Sequence, residues 1–289
     1  MRRRYLALDV GGTKIQAGVV TGGGRVLVVS EVPARPQCTI AELLADIGAA
    51  LKPLLGGGPA GLGMGFPALG DYQAGVLHGD RSLYPCVGGF PLRDHLAAEY
   101  GLPVRMTTDA NMFVAGVARF GEGRGSRAIL GLTLGSGLGV GLIVGGRLDE
   151  GSRGVPDSVL ALLQASDQPL GAAGHHFERL YGAGGETLGA RALAGDAAAR
   201  QAFSGVGSSL ATTVLRLLPV LPSLDAVVVG GGIARSWRFI SPAVRRGLSG
   251  VGLRVVRTRL HYPALTGGAA LFEPGAAVTP VAVRVLEAL

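Results

Sequence analysis

The stretch Leu6-Ala-Leu-Asp9-Val-Gly11-Gly12-Thr13-Lys14 constrains this chain more than any other. A short apolar run reads as a buried strand, paired glycines open a tight turn, and Ile15 to Val20 returns as a second strand. Around that turn stand a carboxylate, a hydroxyl and an amine. Gly11 and Gly12 let backbone N–H groups approach anionic oxygens closely, and Asp9 at the strand end can hold Mg²⁺ through water. The pattern is a phosphate-and-metal grip built as a β-turn-β hairpin. A Walker loop would run from strand to helix through Gly-x-x-x-x-Gly-Lys, and no such string occurs.

With 289 residues, 48% of them hydrophobic, the chain can bury a large core and has room for two domains. Its longest uncharged segment, Ala128 to Gly146, is near the length of a membrane span, but glycines crowd it and Thr133 and Ser136 interrupt it, so no membrane partner is expected. The apolar run after Arg2 to Arg4 is too short for a signal peptide and carries Asp9. Cys38 and Cys86 are too few for a disulfide framework, an Fe–S site or a cysteine zinc site, and a reducing cytoplasm is the expected location. The net charge of +7 invites a nucleic-acid reading. Only Lys14 and Lys52 are lysines, however, and the arginines are scattered, which suits a small anionic ligand better than a nucleic-acid groove.

Along the chain the pattern is a two-part α/β plan. After the hairpin, Arg25 to Val32 reads as a third strand, and Thr39 and Glu42 have capping-box spacing at the head of a helix whose Ile40, Leu43, Leu44, Ile47 and Leu51 share one face. Gly61 to Phe66 is a strand turned by Pro67, Leu92 to Tyr100 a helix stopped by Gly101, and Val104 to Thr107 another strand. A helix from Ala110 to Phe120 opens the second part. Ile129 to Leu134 and Val140 to Val144 then flank Gly135-Ser136-Gly137, repeating the N-terminal strand-turn-strand layout as in a duplicated fold. Helices are expected over Phe177 to Leu193 and Ala197 to Leu218, a strong strand over Ala226 to Gly230, and a last strand and helix over Ala276 to Leu289. The Gly-x-Gly-x-x-Gly at Gly56, Gly58 and Gly61 precedes a strand instead of following one, so it is no dinucleotide site.

Four features occur in a set order: Asp9-Val-Gly-Gly-Thr-Lys14, Thr108-Asp109-Ala-Asn111, Leu134-Gly-Ser-Gly-Leu-Gly139 and Val229-Gly-Gly-Gly-Ile-Ala234. Together with Leu265 to Ala270 they resemble the ROK sugar kinases, which include many bacterial glucokinases, over nearly the whole chain. The resemblance implies a two-domain ribonuclease H-like (actin-like ATPase) α/β fold with an interdomain cleft. The expected division is 1–107, completed by a C-terminal helix at about 278–289, and 108–277. It further implies ATP in the cleft, with Gly11, Gly12, Thr13 and Lys14 on the β- and γ-phosphates, Gly135, Ser136 and Gly137 clamping from the other side, and Gly230, Gly231 and Gly232 against adenosine. Asp109 becomes the general base for the acceptor hydroxyl, Asp9 serves Mg²⁺, and a homodimer is expected. Each motif also has a plainer reading: Asp109 as a helix N-cap, Gly135 and Gly137 as hairpin shaping, Gly231 and Gly232 as an ordinary turn.

The departures fall at the acceptor. Thr108 stands where ROK kinases carry Asn, and a hydroxyl does not replace a carboxamide's donor and acceptor pair. The family's Gly-Glu-x-Gly-His and its zinc cysteines are missing, so no zinc is expected; Asp157 and Glu178 are the candidates for sugar contact beside Pro67, Thr108 and Asp109, with His175 and His176 nearby in sequence. The expected activity is ATP-dependent phosphorylation of a sugar or sugar-like polyol other than plain glucose. The alternative is a catalytically impaired sugar- or nucleotide-binding regulator. Only eight residues precede Asp9, which leaves no room for the winged helix of the family's repressors, and the cysteines for an Fe–S activator ATPase are lacking.

Overall fold

The computed structural model describes residues 3–80, 82–135, 137–156, 159, 184–221 and 223–273. The expected 278–289 helix, the first part of the expected 177–193 helix, and Ser136, Asp157, His175, His176 and Glu178 lie outside the described residues.

The first sheet has the order β3-β2-β1-β4-β7. Its strands are β1 (Arg4–Val10), β2 (Lys14–Thr21), β3 (Val26–Pro33), β4 (Leu62–Phe66) and β7 (Val104–Thr108), while β5 (Gly70–Asp71) and β6 (Val76–Leu77) form a separate small hairpin. β1 runs antiparallel to β2 and parallel to β4, which is parallel to β7, so Asp9, Gly65 and Thr107 end adjacent strands on one edge. Every residue of β4 is buried, the expected state of a central strand covered on both faces. Helix α1 (Ile40–Leu51) begins with the capping box foreseen from sequence. The Glu42 amide donates to the Thr39 hydroxyl at 3.3 Å, and the Thr39 amide donates to the Glu42 carboxylate at 2.8 Å. Helix α2 (Leu92–Tyr100) stops at Gly101 in the left-handed region.

Helix α3 (Asp109–Phe120) follows β7 without a linker and leads to the second sheet, of order β10-β9-β8-β11-β12. Here β8 (Ile129–Leu134) and β9 (Leu138–Val144) make a hairpin, β10 (Arg147–Asp149) pairs with β9, and β8, β11 (Ala226–Gly230) and β12 (Arg254–Arg257) are parallel neighbours. Helices α4 (Gly185–Leu193) and α5 (Ala197–Leu217) pack on this sheet, with Leu188, Phe203, Leu210 and Val214 joining Leu132, Val227 and Val229 in one apolar core. Helix α6 (Trp237–Gly247) and strand β12 are elements the sequence patterns did not reveal. Helix α7 (Pro263–Ala270) packs against α3 and against β1 of the first sheet, so the chain returns to its starting half.

Candidate active site

Two carboxylates define the site. Asp9 lies at the carboxyl end of β1, and Asp109 is the first residue of α3, one residue past the end of β7. The helix cap is Thr108, whose hydroxyl accepts from the Asn111 amide at 3.0 Å. Asp109 is therefore not the N-cap. Its carboxylate accepts from the amides of Ala110 and of Asp109 itself, which favours ionisation, but burial at the cleft floor outweighs them and the carboxyl is raised from its ordinary value. Asp9 is pushed up to about 7, first by burial and then by the charge of Asp109, with Lys14 pulling the other way. Two acids that repel each other in a poorly solvated pocket suit a divalent cation, whose charge would offset both.

These acids open into a cleft of about 1000 Å³ between the two sheets. It is lined by Asp9, Gly11, Gly12, Pro67, Thr108, Asp109, Gly135, Gly137, Gly230, Gly231 and Gly232, which brings three glycine turns from distant parts of the sequence to one space. The first turn is closed by the Gly11 amide donating to the Lys14 carbonyl at 3.0 Å, outside which the amides of Gly12 and Thr13 remain. The second is closed by the Gly135 amide on the Gly137 carbonyl, also at 3.0 Å. Gly231 has φ +89°, and a Cβ there would collide with the Leu134 carbonyl oxygen, so the third turn seats its backbone directly on the second. Exposed amides and absent side chains are what a phosphate chain needs from a protein, and the residues present fit a nucleoside triphosphate with its metal.

Thr13 and Lys14 are not among the cleft-lining residues. Lys14 opens β2, and its ammonium pairs with Glu31 of β3 at 2.7 Å, a carboxylate that Gln16 also contacts at 2.9 Å. Cross-strand pairing in the hairpin thus draws the lysine toward β3.

Several supporting residues escape sequence patterns. Tyr84, fully buried, donates its hydroxyl to the Gly11 carbonyl at 2.7 Å and fixes the first glycine turn from 73 positions away. Asn111, also fully buried, donates to the Gly154 carbonyl at 2.7 Å and so ties the loop after β10 to the head of α3. Glu150 is 6% exposed, accepts from the Thr107 hydroxyl, and is pushed up to about 7 by burial. Gln16, His78, Asp80 and Arg153 also line the cleft. Apart from Asn111, which belongs to the Thr108–Asn111 feature, no local sequence signal marks them.

The sequence profile of the ROK family matches residues 5–158. The chain belongs to the ROK family. It is 36% identical over 155 residues to a glucokinase of Streptomyces coelicolor, an alignment covering 52% of this chain and 46% of that protein. The match thus spans about half the length of that curated relative. Solved structures extend the likeness over both sheets. A ROK hexokinase from Thermus thermophilus superposes with a TM-score of 0.70 at 26% identity, covering 92% of this chain and 97% of that one. A ROK glucokinase from Streptomyces griseus, in complex with glucose and AMPPNP, gives 0.71 at 25% identity, covering 93% and 98%. The two-domain actin-like ATPase architecture of ROK proteins is therefore the fold of this chain.

Proposed function

We propose that this ROK protein is an ATP- and Mg²⁺-dependent kinase acting on a hydroxyl of a sugar or sugar-like polyol other than plain glucose. The observation that carries the reading is the Asp9–Asp109 pair on the floor of a cleft walled by three glycine turns. Asp109 accepts the proton of the attacking hydroxyl; its raised carboxyl lies closer to neutrality than an exposed aspartate's, which suits a general base. Gly11, Gly12, Gly135 and Gly137 present backbone to the phosphates, with Thr13 shaping the first turn from outside the cleft, and Gly230 to Gly232 lie along the nucleoside. Lys14 contributes to the phosphate end as a distant charge. Bound Mg²⁺ supplies charge neutralisation at the transferring phosphate, and Asp9 holds it through water. Positioning and charge neutralisation carry most of phosphoryl transfer, so a fixed acid beside fixed amides is sufficient machinery.

At the acceptor, Pro67, Thr108, Asp157 and Glu178 are the proposed contacts, without the family's Glu and His. Each uncharged hydrogen bond lost costs about 0.5–1.5 kcal/mol, and an unpaired buried sugar hydroxyl about 1–3, so several losses together disfavour glucose by a few hundredfold. The reading carries with it a homodimer in the cytoplasm and no zinc. The test is ADP release from MgATP against hexoses, amino sugars and polyols, beside Asp109→Asn. Acceptor-dependent turnover that the substitution abolishes supports the kinase; efficient turnover on glucose refutes the altered acceptor. ATP binding with no turnover on any acceptor makes the protein a nucleotide-binding regulator instead.

A further inference from the structure

The far rim of the cleft carries basic side chains that the proposed reaction does not use. Arg257, which ends β12, and Arg259 and His261 just after it are exposed and line the cleft, while Thr258 is buried and anchors the segment. All three reach the same cleft within five positions of chain. Arg235, just past the Gly230–Gly232 turn, lines the same rim and, among the described residues, holds only a long 3.6 Å contact to the exposed Glu186.

The acid closest to hand does not neutralise this row. Glu122 accepts from the Thr258 hydroxyl at 2.9 Å and from the Arg259 amide at 2.8 Å, so its carboxylate fixes the path of the segment. The guanidinium groups of Arg257 and Arg259 have no partner among the described residues. Like charges held on a fixed backbone repel one another, and an anion between them removes that cost.

Sheet topology places the row. β8, β11 and β12 are adjacent and parallel, so their carboxyl ends follow one another along one edge: the Gly135–Gly137 tip, then Gly230–Gly232, then Arg257. Two strand spacings of about 4.8 Å put Arg257 roughly 10 Å along that edge from the tip. The row thus lies past the stretch assigned to the triphosphate. Resting on the donor-site reading above, we propose that Arg257, Arg259 and His261 form an additional phosphate subsite. It takes a phosphate group beyond the three of a nucleoside triphosphate, carried either further along a linear phosphate chain or on the 3′ carbon of the ribose.

Calorimetric titration of the full chain with two ligand pairs tests this without reference to turnover: a long linear polyphosphate against inorganic tripolyphosphate, and adenosine 3′,5′-bisphosphate against adenosine 5′-monophosphate. In one pair the extra phosphate is expected to tighten binding about tenfold or more, and the pair that shows it identifies the source. The double variant Arg257→Ala/Arg259→Ala, with both side chains exposed and a melting temperature to confirm folding, is expected to erase that preference. No preference in either pair, a preference that survives in the double variant, or equal displacement by a sulfated polysaccharide each overturns the subsite. Failure of the kinase assay leaves these affinities as they are, so the two readings fail separately.

Discussion

Glu150 offers a test of how the site's underside is built. It follows β10, is almost fully buried, and accepts from the hydroxyl of Thr107 on β7, joining the two sheets near the start of α3. Burial raises its carboxyl from 4.5 to about 7, the Thr107 bond lowers it, and the charges of Asp149 and Asp71 raise it further. In the unfolded chain the group loses its proton near 4.5 and in the folded chain near 7, so between these values the native state binds the extra proton. Its contribution to stability is therefore complete below pH 4.5 and is lost as the pH rises through 7. A separation of about 2.5 pH units, at about 1.4 kcal/mol each, amounts to about 3 kcal/mol of destabilisation on the alkaline side. Glu150→Gln keeps an oxygen to accept from Thr107 and removes the charge. Urea unfolding of both proteins across a pH series reads the difference directly, and other titrating groups cancel in the comparison. The variant is expected to match the parent below pH 4.5 and to exceed it by about 3 kcal/mol above 7. A difference that stays flat with pH would show that the Glu150 carboxyl is unshifted by folding, and a variant that falls further behind the parent as the pH rises would show it ionised and paired; either result refutes the reasoning.

Asp109→Asn should lower acceptor-dependent turnover by about 10²–10⁴, the usual worth of a general base, while circular dichroism melting shows a fold no less stable, because a buried carboxyl is replaced by a neutral amide. Tyr84→Phe removes the 2.7 Å bond to the Gly11 carbonyl. About 1 kcal/mol of stability should go with it, and steady-state kinetics should show a higher KM for MgATP at little change in kcat, since the turn is loosened and the base untouched. Gly231→Ala meets both the φ of +89° and the Leu134 carbonyl. A loss of about 1–3 kcal/mol in unfolding free energy is expected, together with weakened AMPPNP binding by calorimetry; an alanine variant with native affinity would show that the third turn does not face the nucleotide.

What could be read from sequence was local. The β1–β2 hairpin, the Thr39–Glu42 capping box and the Gly101 stop each depend on residues within a few positions of one another, and each is found where the pattern put it. Asp109 at the head of a helix was legible for the same reason, although only the structure assigns the cap to Thr108. Elements defined by distant contacts were not. β12 reads Arg-Val-Val-Arg, too short and too charged at its ends to look like a sheet strand until β11 lies beside it, and α6 carries Pro242 in its interior. The position of Lys14 follows from β2–β3 pairing, which includes a register shift at Val19/Val20, and the reach of Tyr84 to Gly11 spans most of the first half. Arg235 joins Arg257 and Arg259 on one rim only through the cleft that the fold assembles.

The division of labour between residues 108 and 109, with Thr108 as the cap, leaves the acid at the helix start available for the base role proposed above. An aspartate used as the cap would turn its carboxylate onto the helix amides and stay strongly ionised. With the Thr108 hydroxyl taking the Asn111 amide, Asp109 keeps only the nearest amides and burial prevails, leaving its carboxyl raised. The helix that presents it has little freedom to shift. A Cβ at Gly116 of α3 would strike the Pro263 carbonyl, and one at Gly267 of α7 would strike the Met112 carbonyl, so the two helices touch backbone to backbone. On its other side α7 sets Gly268 against Ala7 of β1, two residues before Asp9. Asp9 and Asp109, a hundred positions apart in sequence, are thus fixed to each other through one short helix packed at main-chain distance. Their mutual repulsion, which helps raise Asp9 to about 7, is a consequence of that packing and is not relieved by movement of a loop.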